Sequence, residues 1–120
     1  SASALVKNTI GVPFLRSVSV IPVDTQSELP STLTSIRRGV FWRCTNLKEI
    51  TIPASVKTIG EYVFFDCDSL KHVYNHARVP QRIPRIFNTE GIILHVPHGS
   101  EELYRQADNW NVTEVVGDLP

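Results

Sequence analysis

The chain has no methionine, only two cysteines, Cys44 and Cys67, and no excess of either charge, 12 Lys plus Arg standing against 12 Asp plus Glu over 120 residues. Each shortage removes a class of protein. Two cysteines are too few for the disulfide framework of a small secreted domain. A balanced charge leaves no basic field to gather phosphates or anionic lipid, so nucleic acid is not an expected partner. No apolar run approaches the roughly 20 residues that span a bilayer, and no basic segment followed by an apolar one opens the chain. Membrane insertion by this segment is therefore not expected, and the chain reads as soluble. Because methionine is missing at position 1 as well, we expect a processed form or a piece of a longer protein from which a signal peptide or further domains have been removed.

What is present is a repeat. Leu33, Ile36, Phe41, Cys44, Leu47 and Ile50 recur in order as Val56, Ile59, Phe64, Cys67, Leu70 and Val73, with the interval from Leu33 to Val56 kept at every position and no gap. A shared Phe and a shared Cys at one spacing are hard to obtain by accident in a chain that is 42% hydrophobic. Fixed-period self-similarity is the mark of a stacked-repeat architecture. Two weaker copies flank the pair. Upstream, Leu15, Val18, Val20 and Pro22 echo Leu47, Ile50, Ile52 and Pro53, provided that Val23 to Thr32 carries an insertion of about nine residues. Downstream, Leu94, Val96 and Pro97 echo Ile50, Ile52 and Pro53. About four coils result.

The alternation Ile50, Thr51, Ile52 predicts a short strand with one buried face, ended by proline where no further ladder donor is needed. Stacking places these strands side by side in a parallel sheet. On the other side of each coil the mixed spacing of Ile59, Val63 and Phe64 predicts one or two turns of helix or 3₁₀ helix, with Phe41 and Phe64 pointing into the core. The fold class is α/β, a solenoid of about four short coils. We read the chain as one domain, large enough to bury a core unaided: an irregular N-terminal coil over 1–28, two regular repeats over 29–76, a last coil over 77–98 and a C-terminal cap over 99–120. Arg37 stands where the second repeat has Gly60, and Asn75 replaces an apolar strand residue, which predicts a bent or edge-like third strand.

A solenoid exposes its core at both ends unless a cap covers it. Ser100 is positioned to cap a helix over Glu101 to Ala107, with early acids at the positive end of its dipole. Leu103, Tyr104 and Ala107 share a face, Trp110 follows one turn on, and a strand over Val112 to Val116 ends the segment. We read this aromatic cluster as a lid on the last coil rather than a ligand pocket.

The pattern carried by Val56, Ile59, Phe64, Cys67, Leu70 and Val73, and again by Leu33 to Pro53, resembles the BspA-like leucine-rich repeats, the bacterial and protist class also called Treponema pallidum type. The segment Leu94, Val96, Pro97, Gly99, Ser100, Tyr104, Ala107 and Trp110 resembles the closing segment that follows such repeats in surface proteins of gut and oral Bacteroidetes, and the resemblance covers about residues 29 to 116. It implies an extracellular or cell-surface, non-catalytic, adhesin-like module that binds protein or glycoprotein, host matrix among them. Other readings are a structural spacer of a larger surface protein or an accessory domain of a carbohydrate-active enzyme.

No catalytic constellation stands out: there is no nucleophile elbow and no glycine-rich phosphate loop, and the acids are scattered. Neither an enzyme nor a cofactor is expected. Cys44 and Cys67 occupy one position in adjacent coils, where side chains stack in parallel, a geometry unsuited to a disulfide, so buried free thiols are expected. All four histidines, His72, His76, His95 and His98, lie on or just after the last two strands. Imidazoles on neighbouring strands can converge on zinc, but no fixed ligand motif is present and no metal is expected. The solvent face that carries Glu49, Thr51, His72, Tyr74 and His95 is the candidate binding surface, because solenoids present such sheets to partners and Tyr suits interface anchoring. The plain alternative is a solvated sheet. Trp42 is either exposed or packed on a neighbouring domain.

Overall fold

The computed structural model describes residues 26–29 and 31–120. In chain order its elements are β1 (Gln26–Glu28), β2 (Ser35–Ile36), β3 (Glu49–Ile52), β4 (Thr58–Ile59), β5 (His72–Asn75), β6 (Ile93–Pro97), α1 (Glu101–Arg105) and β7 (Glu114–Leu119). Five strands form one parallel sheet in the order β1-β3-β5-β6-β7, and β2 pairs with β4 in a second sheet. The four connections between the five strands are the coils of the solenoid.

The periodicity becomes register. Ile50 pairs with Val73, Val73 with Leu94 and Leu94 with Val115, so these four apolar residues form one buried row under the sheet. Parallel pairing demands such crossovers, and each coil supplies one. Register is held because a slip by one residue would turn every buried side chain of a strand to solvent. Inside the coils, Phe41 stacks on Phe64 with centroids 5.7 Å apart and Phe64 on Phe87 at 5.5 Å. Trp110 closes this column at 6.0 Å from Phe87. Along the chain Trp110 stands as far past Phe87 as Phe87 stands past Phe64, so the cap continues the phenylalanine position of the repeat.

Four expectations are corrected. Gln26 pairs with Glu49 and Ser27 with Ile50, which keeps the period of the repeat and leaves no room for an insertion across Val23 to Thr32 at its described end. Ser27 takes the register position of an apolar residue, so the alternation that marks the other strands is missing there. The segment with Leu15, Val18, Val20 and Pro22 lies outside the described residues. Second, the backs of the repeats contain turns and the β2–β4 pair in place of helix or 3₁₀ helix. Their backbone groups bond between coils, as in Gly60 N–H to Ile36 O at 2.8 Å and Phe64 N–H to Ile86 O at 3.0 Å. Left-handed φ at Arg43, Tyr62 and Asp66 interrupts any helical turn.

Third, β5 lies between β3 and β6 and is not an edge. Asn75 is fully buried and satisfied: its amide donates to Gln81 Oε1 at 2.8 Å and its carbonyl accepts from Ala77 N–H at 3.1 Å. Gln81 in turn donates to the Val56 carbonyl at 3.0 Å. A buried amide is tolerated because both ends are paired. Fourth, the cap differs in detail. Its helix is short, and Ser100 makes no side-chain cap; its hydroxyl donates to Arg78 O at 2.8 Å instead. The Gly99 N–H donates to the Glu101 carboxylate. Leu103 is exposed, whereas Tyr104 and Trp110 are completely buried. The closing strand is longer and later than expected and adds a fifth member to the main sheet.

Cys44 and Cys67 are free and buried. The Cys67 thiol donates to the Phe41 carbonyl at 2.9 Å. Burial pushes the Cys44 thiol up to about 11 and that of Cys67 to about 12.

Candidate interaction face

The strand order puts all five residues singled out from sequence on the solvent face of one sheet. One row across β3, β5, β6 and β7 reads Glu49, His72, Ile93 and Glu114; the next reads Thr51, Tyr74, His95 and Val116. Their neighbours in each strand, Ile50, Ile52, Val73, Leu94 and Val96, are buried, and the alternation of the pleat sends the rows outward.

Within these rows the side chains are tied together. His72 Nδ1 lies 2.9 Å from His95 Nε2, and His95 Nδ1 lies 2.8 Å from Asp118 Oδ2 and 2.9 Å from Oδ1. A carboxylate only accepts, so His95 Nδ1 carries the proton. In the neutral pair His95 Nε2 therefore accepts from His72 Nδ1–H, which leaves His72 Nε2 as an acceptor for solvent or a partner. Tyr74 stacks on His95 with centroids 4.3 Å apart and planes 16° from parallel. Burial, then the charges of Glu49 and Asp118, raises the Tyr74 hydroxyl above its ordinary range, so it stays protonated and able to donate. The His95 side chain is only 12% exposed, and its rotamer is fixed by a strand neighbour, a ring and a carboxylate at once.

The histidines do not form one cluster. His76 follows β5 and donates its backbone N–H to Ile52 O, while His98 sits in the turn after β6 with Nδ1 3.4 Å from Gly117 O. The facing nitrogens of His72 and His95 are engaged with each other, and among the described residues no group of three or more His, Cys, Asp or Glu is placed to hold a metal ion. Ile93, Glu114, Val116 and Asp118 belong to the same face and were not singled out from sequence. A signal for Asp118 exists: it follows His95 at the same interval by which Phe64 follows Phe41, the period of the repeat. Reading the cap as a lid alone leaves its strand out of the sheet.

A family model described as BspA type Leucine rich repeat region, in 6 copies, matches residues 24–93. The chain belongs to the BspA-type leucine-rich-repeat family. No curated protein and no solved structure gave a significant match. The matched span of this BspA-type domain begins before β1 and ends at Ile93. Membership suggests a surface protein-interaction module, since the leucine-rich-repeat fold typically serves protein–protein contact and is generally non-catalytic. No described helix is long and apolar enough to cross a membrane.

Proposed function

We propose that this BspA-type domain is a non-catalytic, adhesin-like interaction module of a secreted or cell-surface protein, binding protein or glycoprotein through Glu49, Thr51, His72, Tyr74 and His95. The observation that carries this reading is the prior ordering of the face. A partner that contacts Tyr74 and His72 meets side chains already held by stacking and by the hydrogen-bonded chain to Asp118. Immobilising a free side chain costs roughly 0.5–1.5 kcal/mol on association, and here that cost falls on folding. Tyr in the middle of such a face is a residue type that anchors interfaces.

The test is capture from extracellular-matrix extract and host-cell lysate on the immobilised domain, beside a His72→Ala/Tyr74→Ala variant with unchanged melting. Partners retained by the native domain and lost by the variant are the expected result. Equal capture by both would remove the sheet face from the reading.

A further inference from the structure

A second surface is assembled by the turns that follow β2 and β4. Trp42, Tyr62 and Phe65 form a connected aromatic run, with ring centroids 6.1 Å apart from Trp42 to Tyr62 and 4.8 Å from Tyr62 to Phe65. Each ring has a guanidinium over it: Arg43 on Trp42 at 5.8 Å, Arg38 on Tyr62 at 5.4 Å and Arg85 on Phe65 at 5.8 Å. All three arginines are exposed, and so is Trp42 at 46%. Successive coils supply the members, because Trp42 and Phe65 stand one period apart, as do Tyr62 and Arg85.

Of the acids on these turns, only Asp66 pairs with an arginine of the run among the described residues. Asp66 is engaged three ways, accepting from Trp42 Nε1–H at 3.2 Å and from Asn88 Nδ2–H at 2.9 Å, with Arg43 Nε at 3.8 Å. Hydrogen bonds from Asn88 and Trp42 hold its carboxyl below the usual range. Glu61 and Asp68 are the other acids on the turns after β4, both exposed. Among the described residues neither Arg38 nor Arg85 has a carboxylate partner. The chain is neutral as a whole, yet this ridge presents three guanidiniums on a partly exposed aromatic bed.

Such an arrangement suits one kind of occupant. A guanidinium over a ring is held and partly desolvated by the cation–π contact, while its N–H groups stay available to fork a carboxylate. Arg, Trp and Tyr are also the residue types enriched at the energetic centre of protein interfaces. We propose that the Arg38–Trp42–Arg43–Tyr62–Phe65–Arg85 ridge is a second binding surface, separate from the sheet face, that takes an acidic segment of a partner protein, its carboxylates bound by the three arginines.

The probe is a dye-labelled decaglutamate peptide followed by fluorescence anisotropy at low and at raised salt. The native domain binds it, and affinity falls as salt rises. An Arg38→Ala/Arg43→Ala/Arg85→Ala variant loses about tenfold or more, and the triple Arg→Lys variant, with charge kept but the fork removed, loses several-fold. Arg85→Ala alone weakens binding measurably and serves if the triple variant fails to fold. His72→Ala/Tyr74→Ala leaves peptide binding unchanged, so the outcome is independent of the sheet-face reading. Three results would overturn the proposal: no binding by the native domain at low salt, full binding by the triple Ala variant, or full binding by the triple Lys variant, which would reduce the effect to net charge. Binding of a heparin oligosaccharide at these arginines without any binding of the peptide would also overturn it, by replacing a protein occupant with a sulfated glycan.

Discussion

The Tyr104 hydroxyl donates to the carbonyl oxygen of Ala77 at 2.6 Å, from the cap into the irregular stretch that leaves β5. It is one of four such bonds. Ser100 Oγ–H donates to Arg78 O at 2.8 Å, Trp110 Nε1–H to Gln81 O at 2.9 Å and Asn109 Nδ2–H to Ile83 O at 3.0 Å. Residues 77–83 lie outside any strand or helix, so their carbonyls have no ladder to join, and buried carbonyls need partners. The cap supplies them as side-chain donors. Covering the end of the core and satisfying this segment are thus one task.

Removal of a single donor tests this coupling. Tyr104→Phe keeps the ring and leaves the Ala77 carbonyl unpaired in the interior, which costs about 1–3 kcal/mol. Trp110→Ala removes the end of the aromatic column and the bond to Gln81, for about 3–5 kcal/mol. Denaturant melts of both variants measure this directly. A Tyr104→Phe melt superimposable on the native one would show that the bond contributes nothing net.

Gly60 offers a purely steric case. A Cβ there would run into the backbone of Arg37 and Arg38 in the preceding coil, where Gly60 N–H bonds to Ile36 O. Gly60→Ala should therefore destabilise by about 1–3 kcal/mol through displacement of that coil, even though the same change raises stability at unstrained sites. A rise in the melting temperature would contradict the close approach.

The thiols link stability to pH. Burial raises Cys44 from 9.0 to about 11 and Cys67 from 9.0 to about 12. A raised folded value means that the contribution to stability is whole below the unfolded pKa near 9 and is lost as pH climbs toward the folded values. Melts should weaken progressively from about pH 9 upward, and a Cys67→Ala variant should show a shallower decline. Ellman titration at pH near 8 should find no reactive thiol in the native chain and two after unfolding.

Asp118 sets a tautomer. With the carboxylate at His95 Nδ1, nitrogen chemical shifts should show His95 as the Nδ1–H form in the neutral state. Asp118→Asn can donate as well as accept and removes the charge, so the preference should relax and the His72–His95 bond should be populated less. Capture of a partner by the sheet face should fall with it. Unchanged histidine shifts in Asp118→Asn would mean that the carboxylate does not orient the pair.

How much of this was legible without coordinates follows from which interactions are local in the repeat. The positions Leu33 to Ile50 and Val56 to Val73 determined period, strand placement, register and the outward pairs Glu49–His72 and Thr51–Tyr74, because a parallel sheet of stacked coils converts equal spacing into neighbourhood. The free thiols followed from the same rule. The strand at Gln26–Glu28 was not legible: Ser27 breaks the apolar alternation, and pairing with β3 rather than side-chain pattern defines it.

The tertiary structure decided what depends on partners from different coils. It turned the helix-like spacing of Ile59, Val63 and Phe64 into turns, since Ile59 pairs with Ile36 of the preceding coil and Phe64 N–H bonds to Ile86 O of the next. It made Asn75 a paired core residue by bringing Gln81 to it, and it placed Trp42 on the surface against Asp66. Asp118 joined His95, and Arg38 and Arg85 met Tyr62 and Phe65, only once the coils were stacked. The sequence by itself determined the repeat and hence the fold; the surfaces that the fold offers depend on contacts between coils, which no single repeat encodes.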